Sequence, residues 1–387
     1  MENILENLKL TAKNIPQQFQ NRQGRELQAA LLLGGPAFIL LFIFMVWPFV
    51  KGIELSRTNQ LSTGQEGRNV GWTNFERLVS INFITMPEVP PRDELPEEFT
   101  RSGWYIGSDG DLQFRWRDLE SQGLGKWASD NEADQYNIVK MFEVSDTYYA
   151  IIAKDPLFWR ALFHNFYFVL LVVPIQTALA LLLAILVNQK LRGMNVYRTT
   201  YFSPVVTAMA VITVVWIFMY NPSAGLINKM LGVITGQDIN QDWIKDPQSA
   251  MPAVMILSIW QGVGFQMIIY LAGLQDIPED LYEAAEMDGA GAFGRFRFIT
   301  LPMLKNTTIF VVLTTTILAF RLFDQVQVMI AAGAPPDSVG TIVWYAIQTA
   351  QDGFIGKAAS ISIMFVIIVL LVSILQRVFI KPESALD

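Results

Sequence analysis

A chain of 387 residues that is 52% hydrophobic and 16% charged has the composition of a protein that lives in a lipid bilayer. The absence of cysteine and the single histidine, His164, exclude a disulfide framework, a thiolate metal site and a histidine cluster. The formal net charge of -7, with no basic face to neutralise phosphates, excludes nucleic-acid binding.

Residues 1–27 are polar and read as a tail in which Lys9, Lys13, Arg22 and Arg25 outnumber Glu2, Glu6 and Glu26. The apolar run at 28–50 reads as a first membrane span, because it is too long for a cleaved signal peptide and lacks a small-residue cleavage site. Pro36 and Pro48 fall near its ends, where they disturb a helix least. A long polar region follows at 51–158, and about 81–153 of it reads as an inserted small domain. Pro87 to Pro96 is proline-rich and acidic, which predicts an irregular connector. Trp104, Tyr105 and Ile106, then Gly107-Ser108-Asp109-Gly110, then Leu112, Phe114 and Trp116 predict a β-hairpin. Tyr136 to Tyr149 is predicted as a helix, with Ile138, Met141, Phe142 and Val144 as its apolar positions.

Five further spans are predicted at about 159–187, 199–220, 251–274, 307–330 and 358–379. At about 1.5 Å per residue the first of these is long enough to tilt or protrude. The class expected is therefore an all-α polytopic membrane protein of six spans with a small α+β insert. Basic residues near the span ends set its orientation. The tail, Lys190, Arg192, Arg198, Arg295, Arg297, Lys305, Arg377 and Lys381 share one side, whereas the short opposite loops hold only Lys229, Lys245 and Lys357. The tail, the 189–198 loop and the 276–304 loop are thus expected to be cytoplasmic, and the insert extracytoplasmic.

The stretch 276–304 joins two of the apolar runs. Asp276 and Pro278 predict a helix start, and Glu279 and Asp280 put negative charge at the positive end of its dipole. Leu281, Ala284, Ala285 and Asp288 fall on one helical face, and Gly289 and Gly291 are expected to break the helix. The small Ala284 and Ala285 would let a partner approach closely, and Glu283 and Asp288 would accept its hydrogen bonds. On the residues alone, an interfacial helix that merely joins two spans remains equally open.

Glu283-Ala284-Ala285, then Asp288-Gly289-Ala290, then Phe296, Ile299, Leu301 and Pro302, resembles the EAA loop of ABC-transporter permease subunits of the binding-protein-dependent sugar importers, maltose type. Asn306 departs from it, standing where the family often has proline. Weaker likeness covers Gly71-Trp72-Thr73-Asn74-Phe75 with Leu78, the stretch from Asp155 to Leu162, Asn221-Pro222 with Gly225 to Asn228, and Gly333-Ala334-Pro335.

The resemblance implies a type I importer permease fold. Its core would be residues 159–380, with a coupling loop at 275–305 and a cytoplasmic end at 381–387. It implies that Glu279, Leu281, Glu283, Ala284, Ala285, Asp288 and Gly289 dock in a cleft of an ATPase subunit. It also implies a heterotetramer in the bacterial inner membrane with both termini cytoplasmic. The implied partners are a second, similar permease subunit, two ATP-binding cassette ATPase subunits and a periplasmic solute-binding protein, with membrane lipid around them. The solute would be a sugar or sugar-like osmolyte such as an oligosaccharide, α-glucoside, trehalose or glucosylglycerol. ATP and Mg would sit on the partner subunits, with no cofactor on this chain. The insert would contact the binding protein or serve only as a stabilising cap.

Polar groups inside spans are costly and so mark candidate solute contacts. Ser258, Gln261, Gly262 and Phe265 share one helical face, which offers hydrogen-bonding groups, a ring and a gap suited to a sugar. Thr316, Phe320, Arg321, Phe323 and Asp324 are the candidates on the next span, with Arg321 and Asp324 spaced to pair. Helix packing is the alternative for the first group, and a structural ion pair for Arg321 and Asp324. No GxxxxGK[ST] loop and no nucleophile–base pair is present, so no catalytic role is expected. A self-contained secondary transporter would need coupling-ion carboxylates at mid-membrane, for which only Asp324 qualifies, and paired broken helices, which are not evident. A membrane-anchored sensor or scaffold would leave Gln261 and the Glu283 face without a task.

Overall fold

The structure, a computed structural model, describes residues 22–62, 67–85, 105–106, 112–113, 137–144, 147–189 and 193–379. Lys9 and Lys13 of the tail, the Pro87 to Pro96 connector, the turn and aromatic flanks of the predicted hairpin, and Lys190, Arg192 and Lys381 lie outside these residues.

The first span runs as α1 (Arg22–Leu41), one π turn (Phe42–Val46) and α2 (Trp47–Ser56). Pro48 sits in the first turn of α2, where its missing N–H costs nothing, whereas Pro36 lies inside α1. The short α3 (Thr73–Val79) is pinned to the end of this span. The Asn74 amide donates to the carbonyls of Ser56 and Thr58, both at 2.9 Å.

The insert departs from expectation. Residues read as a helix at Tyr136 to Tyr149 form instead β4 (Asn137–Val144) and the start of β5 (Thr147–Ala153). With β1 (Ile81–Thr85) they make an antiparallel sheet ordered β1-β5-β4, in which Ile81 faces Ala153 and Ile138 faces Ile152. Ile138, Met141 and Phe142 do fall at helical spacing. Yet β-branched and aromatic residues crowd both segments, and a partner strand from far upstream completes the ladder. Of the hairpin, β2 (Tyr105–Ile106) and β3 (Leu112–Gln113) pair antiparallel, with Tyr105 opposite Gln113.

The core spans follow. Asp155 accepts the Phe158 N–H at 3.1 Å and so caps α4 (Pro156–Val187), whose first residue is a proline. The span predicted at 199–220 is not one helix. It is α5 (Met194–Val206) and α6 (Met209–Met219), bent by 101°. Pro204 removes a backbone donor, and Thr207 and Ala208 are extended, with ψ of 139° and 132°. After α7 (Leu226–Thr235) comes α8 (Pro247–Gln275), capped by Asp246. Then follow α9 (Glu279–Met287), α10 (Ala292–Arg295), a second π turn (Phe296–Thr300) and α11 (Leu301–Met303). The span predicted at 307–330 is α12 (Lys305–Phe320) and α13 (Asp324–Ala331), interrupted between them. The chain closes with α14 (Pro336–Val339), α15 (Ile342–Gln351) and α16 (Ile355–Phe379). Among the described residues five helices are long and apolar enough to cross a membrane, or six if the bent pair counts as one span.

The core lies along α4 and α8. Nearer the sheet, Phe168, Trp216, Tyr220, Leu257 and Met329 pack together; nearer α9, Ala180, Ala184, Met267, Tyr270 and Leu304 do so. Gly262 lets the Gln176 side chain of α4 close against α8, and Gly264 lets the Tyr201 carbonyl of α5 do the same. No Cβ fits at either position without movement of its neighbour.

Candidate functional site

No residue of α9 is buried. Its N-cap is Pro278, with no side-chain cap, whereas Asp276 ends α8; the predicted capping role of Asp276 is not realised. The three residues between these helices, Asp276, Ile277 and Pro278, let the chain turn on an apolar anchor, since Ile277 is buried. Gly289 stops α9 with φ of +82°, a left-handed value that favours glycine, and Ala290 N–H donates back to the Ala285 carbonyl at 2.8 Å. Gly291 is extended, with φ of -68°, so the break rests on Gly289 alone.

Although exposed, α9 is firmly mounted. The hydroxyls of Tyr282 and Thr300 share a hydrogen bond of 3.0 Å, and Arg295 pairs with Glu286 at 2.9 Å. Tyr282 and Ile299 pack on the buried cluster that includes Leu274, Ile277 and Leu304, which belongs to α8 and the entry to α12. α9 is thereby tied to two spans. Glu279, Leu281, Glu283, Ala284, Asp288 and Gly289 are exposed, and Ala285 is half-buried. Met287, Phe293 and Phe298 add an apolar surface that the motif reading missed; they are 89%, 78% and 77% exposed. Large aromatic side chains in a loop rich in glycine and charge were the available signal. Exposed apolar groups of this size mark a contact surface for a protein or a membrane.

The intramembrane candidates separate into two sets. Ser258 is buried; its hydroxyl donates to the Val254 carbonyl at 2.6 Å and accepts from the Gln325 amide at 3.2 Å. Thr316 is buried and takes a 2.9 Å bond from Gln376 of α16. Phe320 is fully buried, edge-on to Phe166 with ring centres 5.5 Å apart. With Gly262, these residues hold helices together. Gln261 and Phe323 are half-buried, and Phe265, Arg321 and Asp324 are exposed.

The predicted pairing of Arg321 with Asp324 is not made. Among the described residues no ion pair joins them, because the helix ends at Phe320 and the i, i+3 geometry is lost. The break has its own supports. Asn165 donates to the Phe320 carbonyl at 3.0 Å and accepts from Ile342 N–H at 2.9 Å, and Thr341 donates to the Leu322 carbonyl at 2.8 Å. Asn165, Gln176 and Thr341 escaped the sequence reading, though for Asn165 and Gln176 an amide within an apolar run was a visible mark.

At the opposite end from α9, Asp155 knots three elements together. Besides capping α4, it accepts the Tyr345 hydroxyl at 2.9 Å and pairs with Lys357 of α16 at 2.8 Å. Burial, and then the neighbouring Asp155 charge, push the Tyr345 phenol well above its usual value, so it stays a donor. Among the described residues no three His, Cys, Asp or Glu side chains gather as metal ligands.

Residues 150–381 match the family model described as binding-protein-dependent transport system inner membrane component. The lactose transport system permease protein LacF of Rhizobium radiobacter is 36% identical over 229 residues, which span 58% of this chain and 76% of LacF. The trehalose/maltose transport system permease protein MalF of Thermococcus litoralis is 36% identical over 213 residues, spanning 55% and 71%. A solved bacterial ABC transporter involved in import of the acidic polysaccharide alginate has the same fold. It superposes with a TM-score of 0.56 at 17% identity, covering 93% of this chain and 99% of that one.

Proposed function

Given that this chain belongs to the binding-protein-dependent transport system inner membrane components, we propose that it forms half of the pathway by which an ATP-driven importer moves a sugar or sugar-like osmolyte. The observation that carries this reading is the mounting of α9. An exposed helix of acids, alanines and nearby aromatics is bonded through Tyr282 to Thr300 and packed through Ile277 onto two spans. Two ATPase subunits would bind and hydrolyse ATP with Mg, closing on Glu279 to Gly289. That closure would tilt α8 and α12 and switch access between the two sides.

A second permease subunit would complete the pathway, and a soluble binding protein would deliver the solute on the side of the β-sheet. The tail, α9 and the chain end would then be cytoplasmic, as the basic residues favour. Gln261, Phe265, Arg321, Phe323 and Asp324 are the solute-facing candidates of this reading. A charged or polar group left exposed on a spanning segment needs water, a solute or another chain beside it. Ser258, Gly262, Thr316 and Phe320 would set the spacing behind them. The sugar class is supported by the substrates that LacF and MalF are named for, and by the exposed Trp260 and Phe265 rings of α8 beside the half-buried Gln261 amide.

The test is to purify the tagged chain, identify the ATPase recovered with it, and measure hydrolysis in proteoliposomes with the binding protein and a panel of sugars. Stimulation by lactose, trehalose, maltose or a related glucoside is the expected result. Uptake by the chain alone, without ATP, would overturn the reading.

A further inference from the structure

A cavity of about 600 Å³ opens beside the Asp155 knot. It shares no lining residue with α9 or with the cluster around Ser258. Its walls come from four separate parts of the chain. Gln60 follows the first span, Arg77 lies on α3, Lys154 and Asp155 precede α4, and Phe354 and Lys357 open α16.

Asp155 is the one carboxylate in the lining, and it is already engaged, in part by Lys357, so it leaves Arg77 uncompensated. Asp155 accepts from Phe158 N–H at 3.1 Å, from the Tyr345 hydroxyl at 2.9 and 3.0 Å, and from Lys357 at 2.8 Å. Among the described residues no carboxylate pairs with the exposed Arg77. A planar guanidinium in a cavity wall is suited to bidentate capture of a carboxylate. The other walls add amides for hydroxyl groups, and Phe354, 51% exposed, offers a ring face. The volume is within the range of roughly 300–1,000 Å³ typical of small-molecule sites.

We propose that this cavity binds a small carboxylate-bearing molecule of sugar-acid size, held by Arg77 through its carboxylate and by Phe354 through its ring. Such an occupant would bridge α3 to the first turn of α16 and so join the first and last spans of the chain. The site is independent of the solute carried through the membrane and of the transport reading itself.

The test uses the full-length chain in lipid nanodiscs, titrated calorimetrically with glucuronate, with glucose and inorganic phosphate as neutral and charge-only probes. Glucuronate is expected to bind saturably and glucose not to bind. Arg77→Gln is expected to weaken glucuronate roughly tenfold, the scale of one charge-assisted hydrogen bond, with Arg77→Lys intermediate. Phe354→Ala should weaken glucuronate while leaving phosphate unchanged. Arg77 is exposed, so its variants should unfold at the wild-type temperature, and that is measured alongside. No saturable glucuronate signal, equal affinity in wild type and Arg77→Gln, or phosphate binding as tight as glucuronate would each overturn the proposal.

Discussion

The hydroxyl groups of Tyr282 and Thr300 lie 3.0 Å apart, one on the exposed helix α9 and the other on the π turn that leads into α12. This side-chain bond crosses from a helix with no buried residue to one that enters the core, where Thr300 is buried. Tyr282→Phe removes the bond and keeps the ring, at a cost of about 1 kcal/mol. The expected phenotype is normal assembly with solute-stimulated ATP hydrolysis reduced severalfold. Thr300→Val should do the same, and the double variant should be no worse than either single one.

Reversing charge on α9 should act earlier, at assembly. Glu283→Lys with Asp288→Lys converts an acidic, exposed face to a basic one without touching a buried group. Recovery of the ATPase with the tagged chain should fall at least about tenfold, since like-charge contacts across an interface cost several kcal/mol. Undiminished accumulation of solute in this variant would remove the coupling role from α9.

Arg321 separates a pathway role from a packing role. It is exposed at the break between α12 and α13, and no partner holds it there among the described residues. Arg321→Met should leave the complex assembled and thermally unchanged while uptake is lost. Loss of assembly instead would place Arg321 against the second permease subunit.

Two glycines on α8 should differ in their tolerance of a methyl group. At Gly262 the obstacle is the end of the Gln176 side chain, which can swing aside; at Gly264 it is the Tyr201 main-chain carbonyl, which cannot. Gly264→Ala should therefore cost about 1–3 kcal/mol, as overpacking does, and Gly262→Ala clearly less. Thermal unfolding of the two purified variants in lipid checks the order.

Hydropathy alone located the spans, because lipid demands long apolar helices. Pro278 and Gly289 bounded α9 for an equally local reason: one starts a helix readily and the other ends it with a left-handed turn. What local pattern could not supply came from distant partners. Nothing near Arg321 marks a break, for neither proline nor glycine is there. Asn165 and Thr341, far away in the chain, satisfy the carbonyls that the break exposes. The segment from Tyr136 to Tyr149 was misread differently: β4 pairs with the adjacent β5, so a local hairpin was overlooked in favour of helical spacing, and only the third strand, β1, comes from far upstream. The site candidates divided along this line too. Ser258 and Thr316 stand out in the sequence as polar groups within spans, but their bonds to Gln325 and Gln376 come from residues too distant for a local pattern to show.

The first span has a different standing from the rest. Leu32, Leu33 and Phe38 are 78%, 85% and 72% exposed, and among the described residues the span rests on α16 mainly through α2. Its N-terminal part, α1, is left largely exposed by the rest of this chain, so within the chain its side chains answer to greasiness and not to shape. Leucine, isoleucine and phenylalanine should exchange there with little consequence, while the same swaps at Leu257 or Met267 would jam a closely fitted interior. Drift between related chains should accordingly run fastest along α1, like weathering on the one wall that faces outdoors.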